Sequence, residues 1–168
     1  VHTGTEYDKL KAIEVFSKLM AYHRWFINAR DPDNRGIVSI SHPWESGRDN
    51  CPDWDIGMQN IVVPGNLKRY NRRDTHHVDS EQRPTQEQYD RFITIVDFGR
   101  KYNWDSQIIY ADGPFLMADP GVQFIFLRAS RDLLAMALHL EIDSAVDEIR
   151  GWIEQVESGS NFLWNEMI

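Results

Sequence analysis

The sequence predicts an all-α fold in which long helices are interrupted by one extended irregular segment. Three observations carry that expectation. Apolar residues recur at helical spacing over 6–29 and again over 142–157. The run from Asp119 to Leu140 is apolar nearly all round, while residues 42–84 show almost no periodicity. A helix buried on every side followed by a one-sided helix suits an α-toroid, with an inner ring of helices inside an outer one. It suits any two-layer helical array equally.

The elements follow in chain order. Over 6–29, Ile13, Phe16, Met20, His23 and Ile27 form one stripe, and Val15, Leu19, Tyr22 and Phe26 form an adjoining one. Their combined face is wider than a surface helix needs. "RDPDNRG" stops this helix, and "GIVSIS" predicts a short extended run. Regular structure resumes at Thr85, which with Gln88 makes a capping-box pattern for a helix to about Tyr102, with Tyr89, Phe92, Ile93 and Val96 turned inward. Asp119-Pro120 reads as an N-cap with Pro in the first turn. The helix that follows ends near Leu140. The last one, 142–157, sets Ile142, Val146, Ile149, Ile153 and Val156 against an acidic face and stops at Ser158-Gly159, a C-cap signal.

Composition narrows the function. The 168 residues suffice for a real core, and 42% apolar with 26% charged residues argue against disorder. The net charge of −8, with no basic run, argues against nucleic acid. No apolar run approaches the roughly 20 residues of a membrane helix. Cys51 is the single cysteine, so no internal disulfide forms, and "VHTGTEYDKLK" lacks the features of a signal peptide. A cytoplasmic protein is the expectation. Six Trp are many for this length, and Trp in a loop either anchors a core or meets a ligand.

Two of them lie in "SISHPWESGRDNCPDWD", which also packs four carboxylates, a Gly and two Pro into loop-type sequence. The stretch "HPWESGRDNCPDWD" closely resembles the signature of the mannosylglycerate and glucosylglycerate hydrolases. These are inverting glycosidases with an (α/α)6 barrel, allied to processing α-glucosidase I and the trehalase-type barrels. Their usual form is His-Pro-Trp-Glu-Ser-Gly-x-Asp-Asn-Ser-Pro-x-Trp-Asp, from which this sequence departs with Cys51 in place of Ser. The upstream "DPDNRGIVSISHPWESG" matches too, and "DPGVQFIFLRASRDLLAMA" and "FLWNE" follow as further landmarks, so the resemblance spans nearly the whole chain.

The resemblance implies roles residue by residue. Asp49 would be the general acid that protonates the glycosidic oxygen, and Trp44 an aromatic wall for the sugar at the cleavage point. Arg83 and Tyr89, in "RPTQEQY", would contact the other half of the substrate, a glycerate carboxylate in those hydrolases. Physical chemistry is compatible with each role. Inverting cleavage needs a protonated acid on one side of the bond and a second carboxylate roughly 6.5–9.5 Å away holding a water. Burial against Trp44 and Trp54 would keep the acid protonated. An Arg fork fits a carboxylate in two hydrogen bonds. Gly47 permits a positive φ or close backbone approach beside the catalytic position, and Pro43 and Pro52 stiffen the loop.

Plainer readings stand beside these. Asp49, taken without the motif, is a turn aspartate. Glu45, Asp53 and Asp55 read as structural, bonding loop amides or pairing with Arg48. Tyr89 also fits the apolar face of its helix, and Trp54 serves a pocket or a core equally well. "DTHHVD" offers His76, His77 and Asp79 without a further ligand at metal-site spacing, so surface histidines are expected, with no metal and no cofactor. "DPDNRG" has Arg35 where a calcium loop needs a ligand and is rejected as one. Arg128, Arg131 and Asp132, read as lying inside a buried helix, must pair with one another or with neighbours, or brace the active-site loop.

Four long helices are counted, with a fifth starting near "NFLWNEMI", where a twelve-helix ring needs roughly twice this length. Residues 1–168 are therefore expected to be a single, incomplete segment of a glycosidase barrel that carries the acid while the base lies outside the chain; the late Glu166 matches a landmark that is not the base. The expected substrate is a small α-linked glucoside or mannoside, with no nucleic-acid or membrane partner. The alternative is a non-catalytic, sugar-binding half-barrel that dimerises, a homo-oligomer covering its open edge.

Overall fold

The computed structural model describes residues 6–74 and 78–164, and Thr75, His76, His77 and Glu166 lie outside the described residues. The chain divides into two compact units, one made of Val1–Ser39 with Ala118–Ile168 and the other of Ile40–Met117. Six α-helices account for most of the described structure: α1 (Glu6–Arg30), α2 (Asp55–Gln59), α3 (Gln86–Lys101), α4 (Ser106–Asp112), α5 (Pro120–His139) and α6 (Asp143–Ser160). The extended run predicted at "GIVSIS" shrinks to β1 (Ser39–Ile40), which with β2 (Met117–Ala118) makes a two-stranded sheet.

In the first unit α1, α5 and α6 share one apolar core. Phe16, Met20 and Ile27 of α1 meet Phe126, Leu127 and Leu133 of α5 and Val146, Ile149, Trp152 and Val156 of α6. Trp152 apart, the residues of α1 and α6 are the inward positions read from helical spacing. His23 lies among them, its ring stacked 6.0 Å from Trp152 and its Nδ1 2.9 Å from the Leu19 carbonyl. Two expectations fail here. Of the second stripe of α1, Val15, Leu19 and Tyr22 are exposed, and Phe26 alone packs against the core. Likewise α5 is not buried all round: Phe124, Ile125 and Leu138 are exposed. Its charges pair in solvent, Arg128 with Asp132 at 3.0 Å and Arg131 with Glu157 of α6 at 2.6 Å.

The loop after α1 is fixed from inside. The buried carboxylate of Asp31 accepts from the Arg35 and Gly36 amides at 2.8 and 2.7 Å and from Gln155 at 2.9 Å. Gln123 of α5, fully buried, accepts from the Val38 amide and donates to the Gly36 and Val156 carbonyls. Those bonds satisfy backbone groups that the loop would otherwise bury unpaired. Gly159 does not cap α6, which continues to Ser160; it is buried because its backbone touches that of Gly36.

The second unit places the irregular segment on α3. Thr85 caps α3 through the predicted box, its hydroxyl accepting from the Gln88 amide and the Gln88 side chain accepting from the Thr85 amide. Trp54, Met58, Ile61, Phe92, Ile95 and Phe115 are buried in this unit. The 42–84 stretch is not featureless: three 3₁₀ turns and α2 punctuate it. Helix α4 was not expected from the sequence; Asp105 caps it by accepting from the Gln107 and Ile108 amides, after Asn103 and Trp104 reverse the chain with positive φ.

Candidate active site

Two successive turns present Asp49. The first is the 3₁₀ turn Pro43–Ser46, capped by His42, whose Nδ1 accepts the Trp44 amide at 3.0 Å. That bond fixes the tautomer, so Nε2–H donates to the Phe92 carbonyl, 3.2 Å away. Gly47 closes the turn in the left-handed region at φ 68°, with its amide directed to the Trp44 carbonyl, and nothing approaches the place a Cβ would take. Of the two roles foreseen for this glycine, the positive φ is the one in evidence. Glu45 accepts from the Ser41 amide and hydroxyl, a structural role.

In the second turn the Arg48 carbonyl accepts from the Cys51 amide at 3.0 Å, leaving Asp49 and Asn50 as its protruding central residues. The same carbonyl accepts the indole N–H of Trp54 at 2.8 Å. The Arg48 guanidinium lies 5.0 Å above the Trp54 ring and pairs with Asp53 at 3.0 Å. Trp54 is only 3% exposed and anchors the turn in the core, while one part of it also lines the cleft described next. Burying so large an aromatic contributes about 2–3 kcal/mol.

Asp49 and Arg83 line one cleft of about 380 Å³. Asn50, Cys51, Trp54, Asp55, Gln88, Arg91 and Phe92 share its wall. Gln88 lines the cleft while its side-chain carbonyl accepts the Thr85 amide in the capping box. Arg91 pairs with Glu87 at 2.6 Å. The Asp49 carboxylate makes no hydrogen bond or ion pair among the described residues and is exposed. The expectation that Trp44 and Trp54 bury this carboxyl between them is not met in this arrangement.

Trp44 is 41% exposed and does not line that cleft. It belongs to an aromatic group beside it, with centroids 4.3 Å from His42, 5.8 Å from Phe92 and 6.2 Å from Tyr89. Tyr89 is half-buried there, stacked on Tyr70 at 5.5 Å. Phe92 joins the two features, since it packs on Trp44 and also lines the cleft. Sequence reasoning missed His42 as the determinant of the turn, as well as Gln88 and Arg91. The capping box marked Gln88 for structure, and the i,i+4 spacing of Glu87 and Arg91, whose pair the structure shows, was the one signal that bore on Arg91.

Burial pushes the pKa of His42 down, against the opposing pull of the Phe92 carbonyl and the Glu45 and Asp49 charges. In the unfolded chain it titrates at its ordinary value of 6.5. A depressed folded value means that the unfolded state binds the proton first. Stability is therefore complete above about 6.5 and falls as the pH drops below it, through the folded value. Protonation also places a proton on Nδ1 against the Trp44 amide. Nitrogen-detected NMR should find His42 as the Nε2–H tautomer, with its titration midpoint below 6.5; a midpoint above it would contradict this geometry.

Comparison with known proteins identifies the site's relatives. The family model of the mannosylglycerate hydrolase MGH1-like glycoside hydrolase domain matches residues 2–168. A mannosylglycerate hydrolase of Thermus thermophilus is 44% identical over 155 residues, 92% of this chain and 37% of that protein. The glucosylglycerate hydrolase of Mycolicibacterium hassiacum is 33% identical, with 84% of this chain and 32% of that protein aligned. Among solved structures, the GH63 mannosylglycerate hydrolase from another strain of Thermus thermophilus, in complex with Tris and D-glycerate, superposes with a TM-score of 0.88 at 43% identity, covering 94% of this chain and 38% of that one. Its complex with glucose gives 0.88 at 41% identity, covering 98% and 39%. The chain thus spans well under half the length of the relatives it matches. Its all-α class agrees with these neighbours as part of a toroid. By the family match over nearly every residue, this chain belongs to the mannosylglycerate hydrolase MGH1-like glycoside hydrolases.

Proposed function

We propose that the protein carrying this chain is an inverting α-glycoside hydrolase acting on small glucosyl or mannosyl glycosides of glycerate, with Asp49 as its general acid. The observation that carries the proposal is the meeting of Asp49 and Arg83 in one cleft, an acid beside a carboxylate receptor. The relatives' names and the D-glycerate and glucose complexes of the Thermus enzyme supply the substrate class.

In the reaction, protonated Asp49 gives its proton to the glycosidic oxygen as the bond from that oxygen to the anomeric carbon breaks. Glycerate leaves with its hydroxyl restored. A second carboxylate takes a proton from the water that attacks the opposite face, and the sugar is released with inverted configuration. That base is assigned outside these residues, consistent with the 37% of the Thermus relative that the chain spans. Trp44 offers its exposed ring to the sugar, Gly47 holds the turn that leads to Asp49, and Arg83 with Tyr89 receives the glycerate.

Hydrolysis of α-mannosylglycerate and α-glucosylglycerate by the full-length protein, followed by proton NMR, tests the reading. The β-anomer should appear first; the α-anomer first would overturn inversion, and no turnover of either substrate would overturn the substrate class. Arg83→Ala should raise KM for the glycerate glycosides about 10- to 100-fold, the usual size of a charge-assisted hydrogen-bond loss. Neutral α-glucosides should lose less than about threefold, within the weight of an ordinary surface change. Equal loss on both would remove Arg83 from the carboxylate role.

A further inference from the structure

Arg83 and Tyr89 are held from behind by a short piece of irregular chain, Tyr70–Asp74, to which the reaction above gives no part. Arg72 donates through Nε and Nη2 to the two oxygens of Asp74, at 3.1 and 2.7 Å. Its Nη2 also donates to the carbonyl of Pro84, the residue after Arg83, at 2.8 Å. The guanidinium lies 4.5 Å from the centre of the Tyr89 ring. Tyr70 stacks on the same ring, while its hydroxyl donates to Asp90 and accepts from Gln86 at 2.8 Å. Burial and then the Asp90 carboxylate push the Tyr70 pKa up, so the hydroxyl stays a donor.

Arg72 and Asp74 are only 15% and 19% exposed, unlike surface pairs such as Lys18 with Glu14. Neither lines the cleft, and the charge of Arg72 is matched by Asp74, which its guanidinium holds below the usual carboxylate range. Arg72 is therefore placed to orient other residues and has no free charge to offer an anion. Its planar fork performs three tasks at once: it grips Asp74, ties the chain beside Arg83, and covers the Tyr89 ring. An ammonium could not do all three.

We propose that Arg72 is a positioning residue for the anionic half of the substrate, fixing Arg83 through the Pro84 carbonyl and Tyr89 through its ring without touching the ligand. This rests on the assignment of Arg83 and Tyr89 made above.

The test compares α-glucosylglycerate with its neutral counterpart α-glucosylglycerol on the full-length protein. Arg72→Met should raise KM for the glycerate glycoside about tenfold, in the range of coupling between residues of one network. kcat should change less than about threefold, and the glycerol glycoside should be nearly unaffected. In an Arg83→Ala background the same substitution should add less than about twofold, since its effect passes through Arg83. Arg72→Lys, which keeps the charge and lacks the fork, should fail to restore KM. Should Arg72→Met not fold, Asp74→Asn gives the same readout. Equal loss on both substrates, full additivity with Arg83→Ala, or complete rescue by Lys would overturn the inference. If Arg83→Ala changes the preference for glycerate and Arg72→Met does not, the inference falls alone. If Arg83→Ala leaves that preference intact, the assignment of Arg83 falls and takes the inference with it.

Discussion

Asp49→Asn is expected to lower kcat for glycerate glycosides by roughly 10²–10⁴-fold, the usual contribution of a positioned general acid, with KM nearly unchanged. The substitution keeps the shape of the side chain and removes the proton. The turn should not notice, because it is held by the Cys51 amide and the Trp54 indole on the Arg48 carbonyl, and the Asp49 side chain takes no part in it. A clean separation of catalysis from folding follows, with thermal stability preserved while turnover collapses. The leaving group sharpens the test. Glycerate leaves through an alcohol oxygen that must be protonated, whereas a dinitrophenolate leaves unaided. On a dinitrophenyl α-glycoside the variant should therefore lose less than about tenfold, since little of the acid's contribution is then needed. Loss of the same size on both substrates, or a variant with full rate, would remove Asp49 from the acid role.

The helices were legible in the sequence because their signals are local. A capping box at Thr85 and Gln88, or Asp119 followed by Pro120, fixes a helix start through bonds within four residues, whatever lies around it. Helical spacing likewise named Phe16, Met20 and Ile27 as the inward face of α1. What periodicity does not specify is which of several apolar faces finds a partner. Phe124 and Phe126 look equivalent in the sequence, yet one is exposed and the other buried. Helix α4 escaped notice for the same reason in reverse, being too short to display a period.

The candidate site was legible through its motif and not through its physics. Trp44 and Trp54 occur in the same loop with similar neighbours, and only the fold separates an exposed ring from a buried anchor whose indole holds the Arg48 carbonyl. The clamp at Tyr70–Asp74 left no mark at all. "YNRRD" has no periodicity, and its meaning comes from Pro84, Tyr89 and Asp90, which reach it only through the tertiary fold.

Gly159→Ala and Gly151→Ala, two substitutions on the same helix, should shift stability in opposite directions. A Cβ on Gly159 would sit 2.0 Å from the Gly36 carbonyl oxygen and 2.2 Å from its carbon, both backbone atoms that cannot swing aside. The relation is reciprocal, for a Cβ on Gly36 would meet the Gln155 carbonyl oxygen at 2.0 Å, at a φ of +70° that disfavours other residues anyway. Relief would require α6 to draw away from the 31–38 loop. That movement breaks the bond from Gln155 to Asp31 and at least one of the bonds from Gln123 to the Gly36 and Val156 carbonyls, all of them buried or part-buried. Overpacking with loss of such bonds should cost at least about 3 kcal/mol. A Cβ on Gly151 meets nothing within 4 Å, so Ala there should stabilise by roughly 0.5–1 kcal/mol through helix propensity alone. Urea unfolding midpoints of the two variants decide the matter. A Gly159→Ala protein as stable as the parent would mean that α6 does not approach Gly36 so closely, and the buried position of Gln123 between them would have to be redrawn.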